Sequence, residues 1–372
     1  MRIGILAAFA GRNAGGPETY EVELLRALAA VDQCNEYHVL CLSDKAPSAF
    51  GVRQQNVAYK VMWPPFRPVS LLTSVPAAMI RRGLDLVHAT FMPPPISPTR
   101  YIFTMVCDSM FQHPEFYPAA IRWRLQGLTR LALRRAALTI CISQSIRDNI
   151  RERFKVPEER LAVVHLGASP KFRPIPRPEN LEFLDRTYGI RFPYFLFSGR
   201  WEPRKNLLRI LQAFAQFKGR FPSEVKLVLT GLRTWWAPQA DALISRLGIE
   251  GEVVDLGKSP VDELPFLYSG ALALVFPSLW EGFGLPVVEA MACGTPVITS
   301  NVSSMPEVAG RAALLVDPYS ISEITEAMCR IASDSSKRQE LAAEGLKRAT
   351  TFTWDRTARQ TLDAYERIGA PN

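Results

Sequence analysis

The sequence predicts an α/β protein made of two doubly wound parallel sheets in tandem. Three observations predict it. Apolar runs of strand length recur along the chain, and helix-patterned segments separate most of them. That alternation gives parallel sheets with helices on both faces. A strand, a glycine-bearing loop and a helix open the chain over residues 3–30, and the same order restarts over residues 194–218. Between the two, Pro170, Pro174, Pro176 and Pro178 crowd together. Proline lacks the N–H that a sheet needs and stiffens the chain, so this stretch reads as a linker. The domains expected are residues 1–175 and 190–352, with 353–372 as a terminal segment.

In order, Ile3 to Ala8 reads as a buried strand and Tyr20 to Ala30 as a helix carrying Leu24, Leu25 and Leu28. The loop between them holds Gly11, Gly15 and Gly16, but not with the spacing of a dinucleotide fingerprint. Further strands are expected at 37–42, 84–89, 101–107, 138–142 and 161–165. Residues 61–76, rich in proline and aromatics, read as a loop. His88 ends a strand and could face a cleft, and Gly15 lies in the loop after the first strand. Cys107-Asp108 ends another strand, where open parallel sheets meet their ligands; Asp108 could meet such a ligand or simply make an Asx-turn. His38 and His165 read as sheet or core positions.

The second half places strands at 194–198, 226–230, 253–256, 271–276 and 295–299. Gly231 and the loop Gly257-Lys258-Ser259 follow two of them. The richest stretch runs from Ser278 to Thr299. Pro286 suits the first turn of a helix and Gly294 its stop. Between them lies a short apolar segment carrying one acid, Glu289, and a second acid, Glu281, lies in the loop before it. The helical side chain leans toward its N-terminus, so Glu289 can reach back to the loop. The amides of Gly284 and Leu285 open the helix and can receive a diphosphate. Ser304-x-x-Glu307 reads as a capping box.

Glu281-x7-Glu289 within PSLWEGFGLPVVEAMACGTPVITS resembles the signature of the family-four retaining glycosyltransferases, and SGRWEPRKN (198–206) resembles their phosphate-binding segment. The resemblance implies the GT-B architecture: two Rossmann-like domains, the first for the acceptor and the second for the nucleotide-sugar donor, with a C-terminal helix crossing back to the first. It implies that Glu281 lies at the reacting sugar and Glu289 at the ribose. Arg200 and Lys205 would bind the diphosphate, Gly16, Gly231 and Lys258 would line the donor site, Asp108 could orient a sugar hydroxyl, and His88 and Gly15 would lie on the acceptor side. The family usually has His-Asp where this chain has Cys107-Asp108, which puts any imidazole role there in doubt. The reaction implied is transfer of a hexose, mannose as the best guess with GDP-mannose as donor, to a glycan or lipid-linked acceptor in cell-surface polysaccharide synthesis. No cofactor is expected. With no Asp-x-Asp in the chain, metal independence is expected as well. A sugar-nucleotide epimerase or isomerase on the same fold, and a non-catalytic basic adaptor, are the alternatives. The first needs an acid/base set that four histidines poorly supply, and the second needs none of the four charged residues.

Composition agrees with a globular chain: 48% hydrophobic and 22% charged over 372 residues. The six cysteines show no C-x-x-C spacing, which fits reduced thiols and a cytoplasmic protein. The apolar run at 3–10 is short and is read as a strand rather than a leader. Net charge is +8, and it is uneven: residues 1–175 hold 22 Lys and Arg against 13 Asp and Glu. The excess concentrates at 119–155, where Trp123 lies among arginines. A peripheral contact with an anionic membrane surface is expected there, at the inner face of the membrane, and nucleic acid is not.

Overall fold

A computed structural model describes residues 1–90 and 93–369. The chain forms two units, residues 1–167 with 353–372 and residues 168–352; residues 370–372 of the expected terminal segment lie outside the described residues. The first unit holds seven parallel strands: β1 (Arg2–Ala7), β2 (Glu36–Cys41), β3 (Val57–Val61), β4 (Leu86–Thr90), β5 (Tyr101–Met105), β6 (Leu138–Cys141) and β7 (Leu161–Val163), in the order β3-β2-β1-β4-β5-β6-β7. The second holds β8 (Tyr194–Ser198), β9 (Lys226–Thr230), β10 (Val253–Asp255), β11 (Ala273–Phe276), β12 (Val297–Ser300) and β13 (Leu314–Val316), in the order β10-β9-β8-β11-β12-β13. Both orders reverse direction once, beside the first strand of each unit. This is the doubly wound, Rossmann-like topology expected from the sequence.

The central strands β4, β5, β8 and β11 are buried at every position, so they are mostly apolar rather than alternating, with His88, Thr90, Thr104 and Ser198 as buried polar exceptions. The second unit's core joins Phe195 and Phe197 to Ile210, Phe214 and Phe217 of the helix Leu207–Arg220 and to Ile324 and Met328 of the helix Ile321–Ser333.

Three expectations change. Residues 168–175 belong to the second unit rather than to a first domain ending at 175. Lys171 pairs with Asp262, the amide of Ile175 donates to Ser269, and Phe172 packs edge-on against Tyr268. Residues 61–76 are not one loop, because the helices Arg67–Leu72 and Ser74–Arg81 occupy much of it. Ser304 begins the helix Met305–Ala309 but forms no capping bond; its hydroxyl donates instead to the carbonyls of Glu281 and Phe283.

The helix Trp354–Gly369 is part of the first unit. Trp354, Thr357, Ala358, Thr361, Ala364 and Tyr365 form its buried stripe, at helical spacing.

Candidate functional site

In the second unit the order of strands reverses between β8 and β11. Loops at the carboxyl ends of strands flanking such a switch point are where open α/β sheets bind ligands. The loop after β8 carries Arg200, Glu202, Arg204 and Lys205; the loop after β11 carries Glu281. They meet. Oε1 of Glu281 lies 2.6 Å from Nζ of Lys205, and Oε2 lies 2.8 Å from Nη1 of Arg204. Arg204 also approaches Glu202, which pairs at 2.7 Å with Nε of Arg200. The result is a string of alternating charges, three cations and two carboxylates, strung across the switch point.

Glu281 and Lys205 are both buried. Burial alone would raise the Glu281 pKa, but Arg204 and Lys205 outweigh it and hold the carboxyl below its usual range. Burial pulls the Lys205 ammonium down, against the attraction of Glu281. The loop that presents Glu281 is pinned too. Its amide donates to Ser303, and Ser304 holds its carbonyl. Asn206, in the left-handed region at φ 64°, donates to the carbonyls of Pro277 and Pro318 and ties the β8 loop to its neighbours.

Gly284 caps the helix Leu285–Ala292 with φ 98°. That backbone conformation strains any residue with a side chain, and a Cβ there would also displace the flexible end of Met305, whose Cε would stand 2.3 Å away. Pro286 lies in the first turn, as expected. Val287, Val288, Ala290 and Met291 are buried, and Glu289 is half-buried. Oε2 of Glu289 accepts a 3.0 Å hydrogen bond from Tyr268. Gly231 stands where the loops after β8 and β9 touch: its amide donates to Gly257, and a Cβ would lie 1.9 Å from the carbonyl oxygen of Gly199. Lys258 is exposed beside it, next to Ser259, whose hydroxyl meets Thr230 at 2.8 Å. Glu281, Glu289, Arg200, Lys205, Gly284, Leu285, Gly231 and Lys258 thus all belong to one unit. All except Glu289 lie on loops or helix starts beyond the carboxyl ends of its strands.

The remaining candidates belong to the first unit. Gly15 caps the helix Gly16–Val31. Two acids of that helix occupy the loop before it. Glu18 accepts from the amides of Gly11, Arg12 and Ala14, and Glu21 from those of Ala8, Phe9 and Ala10. Glu21 is buried, which pushes its carboxyl up to about 7 against the pull of the three amides and Arg67. Asp108 is buried and accepts a 2.9 Å hydrogen bond from Asn149. Cys107 meets the hydroxyl of Ser109 at 3.0 Å.

His88 is not available to an acceptor. It is fully enclosed, Nδ1 lies 2.6 Å from the Tyr365 hydroxyl, and Nε2 lies 2.6 Å from Thr104. Burial drives its pKa down to about 3, so the ring is neutral. Its work is to anchor the terminal helix.

Sequence reasoning missed Arg204, Tyr268, Asn206 and Ser304. The signal for Arg204 was there, since it adjoins Lys205 in the same short loop. Tyr268 gave none.

Two family models match the chain: glycosyl transferases group 1 over residues 187–348 and glycosyltransferase family 4 over residues 14–172. The chain is 36% identical over 268 residues to an O-antigen chain mannosyltransferase B of Escherichia coli, covering 72% of this chain and 70% of that one. It is 30% identical over 265 residues to an MMP alpha-(1->4)-mannosyltransferase of Mycolicibacterium hassiacum, covering 67% and 61%. Among solved structures, a sucrose-phosphate synthase of Thermosynechococcus elongatus superposes with TM-score 0.81 at 20% identity, over 99% of both chains. HepE of Anabaena, solved with UDP-glucose, superposes with TM-score 0.79 at 20% identity, over 98% and 99%. These two share the fold.

Proposed function

The chain belongs to the group 1, family 4 glycosyltransferases, and from that premise we propose that it moves a mannosyl residue from a nucleoside-diphosphate sugar, GDP-mannose first among them, to a glycan or lipid-linked acceptor, with retention at the anomeric carbon. The observation that carries the reading is the buried Glu281 held by Arg204 and Lys205 at the switch point of the second sheet. The likeness to the Escherichia coli and Mycolicibacterium mannosyltransferases supports the choice of sugar.

The donor's diphosphate gains negative charge as the sugar leaves. Cations fixed before the reaction stabilise that charge without reorganising. Lys205, Arg204 and Arg200 are the groups for it, and Glu281 keeps two of them in place. The resemblance puts the reacting sugar at Glu281, which would orient a hydroxyl while holding the cations. Glu289, braced by Tyr268, takes the ribose. Gly231 and the loop through Lys258 take the base. Gly15, Gly16 and Asp108 are assigned to the reacting sugar and acceptor side. With three cations on the leaving group, the reaction needs no divalent ion; full activity in EDTA is the expected result.

The test is thermal unfolding with UDP, GDP and ADP, followed by turnover of the corresponding sugar nucleotides. A nucleotide at 100 times its Kd adds about 2.7 kcal/mol of stability. GDP should stabilise most, and GDP should be released from GDP-mannose only when an acceptor glycan is present. Stabilisation by none of the three would overturn the reading; release without acceptor would mean transfer to water, and conversion of the sugar nucleotide with no GDP released would favour an isomerase.

A further inference from the structure

The first unit carries a second charged site, apart from its sheet-end loops. Where the helices Ala119–Arg135 and Gln144–Phe154 end, a pocket of about 450 Å³ opens, lined by Arg130, Arg134, Arg153, Lys155 and Arg160 around Phe154. It contains no acid.

The pocket is built rather than accidental. Arg130 and Arg153 come from different helices, and each places its guanidinium 5.4 Å from the centre of the Phe111 ring. Phe111 is buried and packs edge-on against Phe154 at 4.9 Å. One aromatic therefore fixes two cations. Arg160 is fixed by its Nη2, which donates to the carbonyls of Leu133 and Arg134 at 2.9 and 3.2 Å.

Among the described residues the charge there is largely unanswered. Arg147 and Arg151, in the same basic stretch, pair with Asp148 and with Glu158. Among the described residues no carboxylate lies within 4.0 Å of Arg130, Arg134, Arg153 or Lys155. Helix C-termini attract cations, which is the plain explanation for basic residues at this place. Each terminus is worth only about −0.5 of a charge, so two ends offset about one of the five cations. An excess of about four remains.

The helix that carries Arg130 and Arg134 also carries Trp123, which is 67% exposed. Steps of seven and eleven residues return to within about 20° of the same line on a helix. Trp123 therefore lies on the face of Arg130 and Arg134, about 10 Å before the first of them. The helix buries only Thr129, Ala132 and Leu133, all in its second half, so its first half stands off the core. An exposed tryptophan in line with a cluster of cations is an arrangement by which proteins rest on lipid headgroups.

We propose that this pocket binds the phosphate of an anionic lipid headgroup and seats the first unit on a membrane surface. Arginine's planar fork suits phosphate oxygens, and three arginines with one lysine can enclose a phosphodiester. The inference stands independently of the donor chemistry above.

The experiment is sedimentation of the full chain, without nucleotide, with vesicles of phosphatidylglycerol and phosphatidylcholine and with phosphatidylcholine alone. The pocket variant is Arg134→Glu/Lys155→Asn. Both side chains are exposed, and asparagine tolerates the left-handed backbone at 155, where φ is 54°. The reference variant is Arg122→Glu/Arg124→Glu on the same helix. The wild type should bind the anionic vesicles only. The pocket variant should lose at least tenfold in partitioning, and the reference variant no more than about threefold. Equal losses in the two would mean diffuse attraction and would overturn the pocket. Stoichiometric binding of inorganic phosphate, lost in the pocket variant but without vesicle binding, would assign the pocket to the soluble ion and overturn the membrane half. Tighter binding of a short single-stranded RNA than of vesicles would overturn both. Circular dichroism and GDP affinity serve as controls. Unchanged values in the pocket variant show an intact fold, and absent GDP binding in every protein would break the donor reading while leaving this one in place.

Discussion

The two units share one topology and use it in opposite ways. In the first, the loop after β1 gives its amides to carboxylates of the helix that follows: Glu18 takes three and Glu21 another three. In the second, the loop after β8 carries cations, and the carboxylate that meets Arg204 and Lys205 most closely comes from the loop after β11. The first loop is satisfied locally, by a neighbour within thirteen residues. The second is satisfied across the switch point, by a residue 76 positions away. Local satisfaction fixes a wall. Satisfaction at a distance ties two strands' loops into one charged cluster.

The comparison breaks hardest at Glu281. Removing one partner of a buried ion pair leaves an uncompensated charge and costs about 3–5 kcal/mol. Glu281→Gln should cost that much in urea unfolding of the second unit. It should also lower kcat by 10²–10³, roughly 2.7–4 kcal/mol of transition-state stabilisation. A variant of wild-type stability would show that the cluster does not hold the loops together.

The first unit should respond less, because hydrogen bonds to backbone are at stake rather than buried cations. Glu21→Ala leaves the amides of Ala8, Phe9 and Ala10 without their acceptor. An unmet buried donor costs about 1–3 kcal/mol, and water can answer some of them, so about 2–3 kcal/mol in all is expected. Amide hydrogen exchange reads it directly: protection at 8–10 should fall while that of β8 is unchanged. Equal loss of protection in both units would erase the contrast.

His88 sharpens the comparison through pH. The unfolded ring takes a proton near 6.5, whereas the folded ring stays neutral down to about 3. Between those values the unfolded state binds more protons, so stability falls as pH falls, by up to about 1.4 kcal/mol per pH unit. His88→Asn lacks this loss. The wild-type advantage over the variant, measured by urea unfolding, should shrink steadily from pH 6.5 to pH 4.5. A constant difference would mean that the ring is not held neutral.

Much of this was legible in the sequence because burial writes itself as apolar runs. Every strand buried on both faces was found. The two missed were β3, where Lys60 and Val61 are exposed, and β13, only three residues long. The site residues gathered in the second unit were legible from a motif, but their partners were not. Arg204 reaches Glu281 only because two loops converge. Ser304 looked like a cap, yet its hydroxyl found two carbonyls of the Glu281 loop instead. His88 was placed correctly at a strand end and given the wrong task, since its partner Tyr365 lies 277 residues further on.

The smallest effect expected separates the two glutamates. Glu281 lies among the cations and is assigned to the reacting sugar, where interactions strengthen as the bond breaks. Glu289 is assigned to the ribose, which does not change during reaction, so its contribution is nearly uniform binding. Glu289→Gln should therefore raise the donor KM about tenfold and weaken bare GDP by the same factor, which is about 1.4 kcal/mol, with kcat almost unchanged. Tyr268 only braces Glu289. Tyr268→Phe removes one neutral-to-charged hydrogen bond and should cost GDP affinity less than Glu289→Gln does, by threefold to fivefold rather than tenfold. Combined, the two changes should cost no more than Glu289→Gln alone, because Tyr268 acts on the nucleotide only through that carboxylate. Calorimetric titration of GDP into the three variants and into Glu281→Gln decides it. Glu281→Gln should leave GDP affinity within about twofold, since the cations proposed to meet the diphosphate remain. If Glu281→Gln weakens GDP more than Glu289→Gln, the two roles are reversed; if the Tyr268 and Glu289 losses simply add, the tyrosine touches the nucleotide itself.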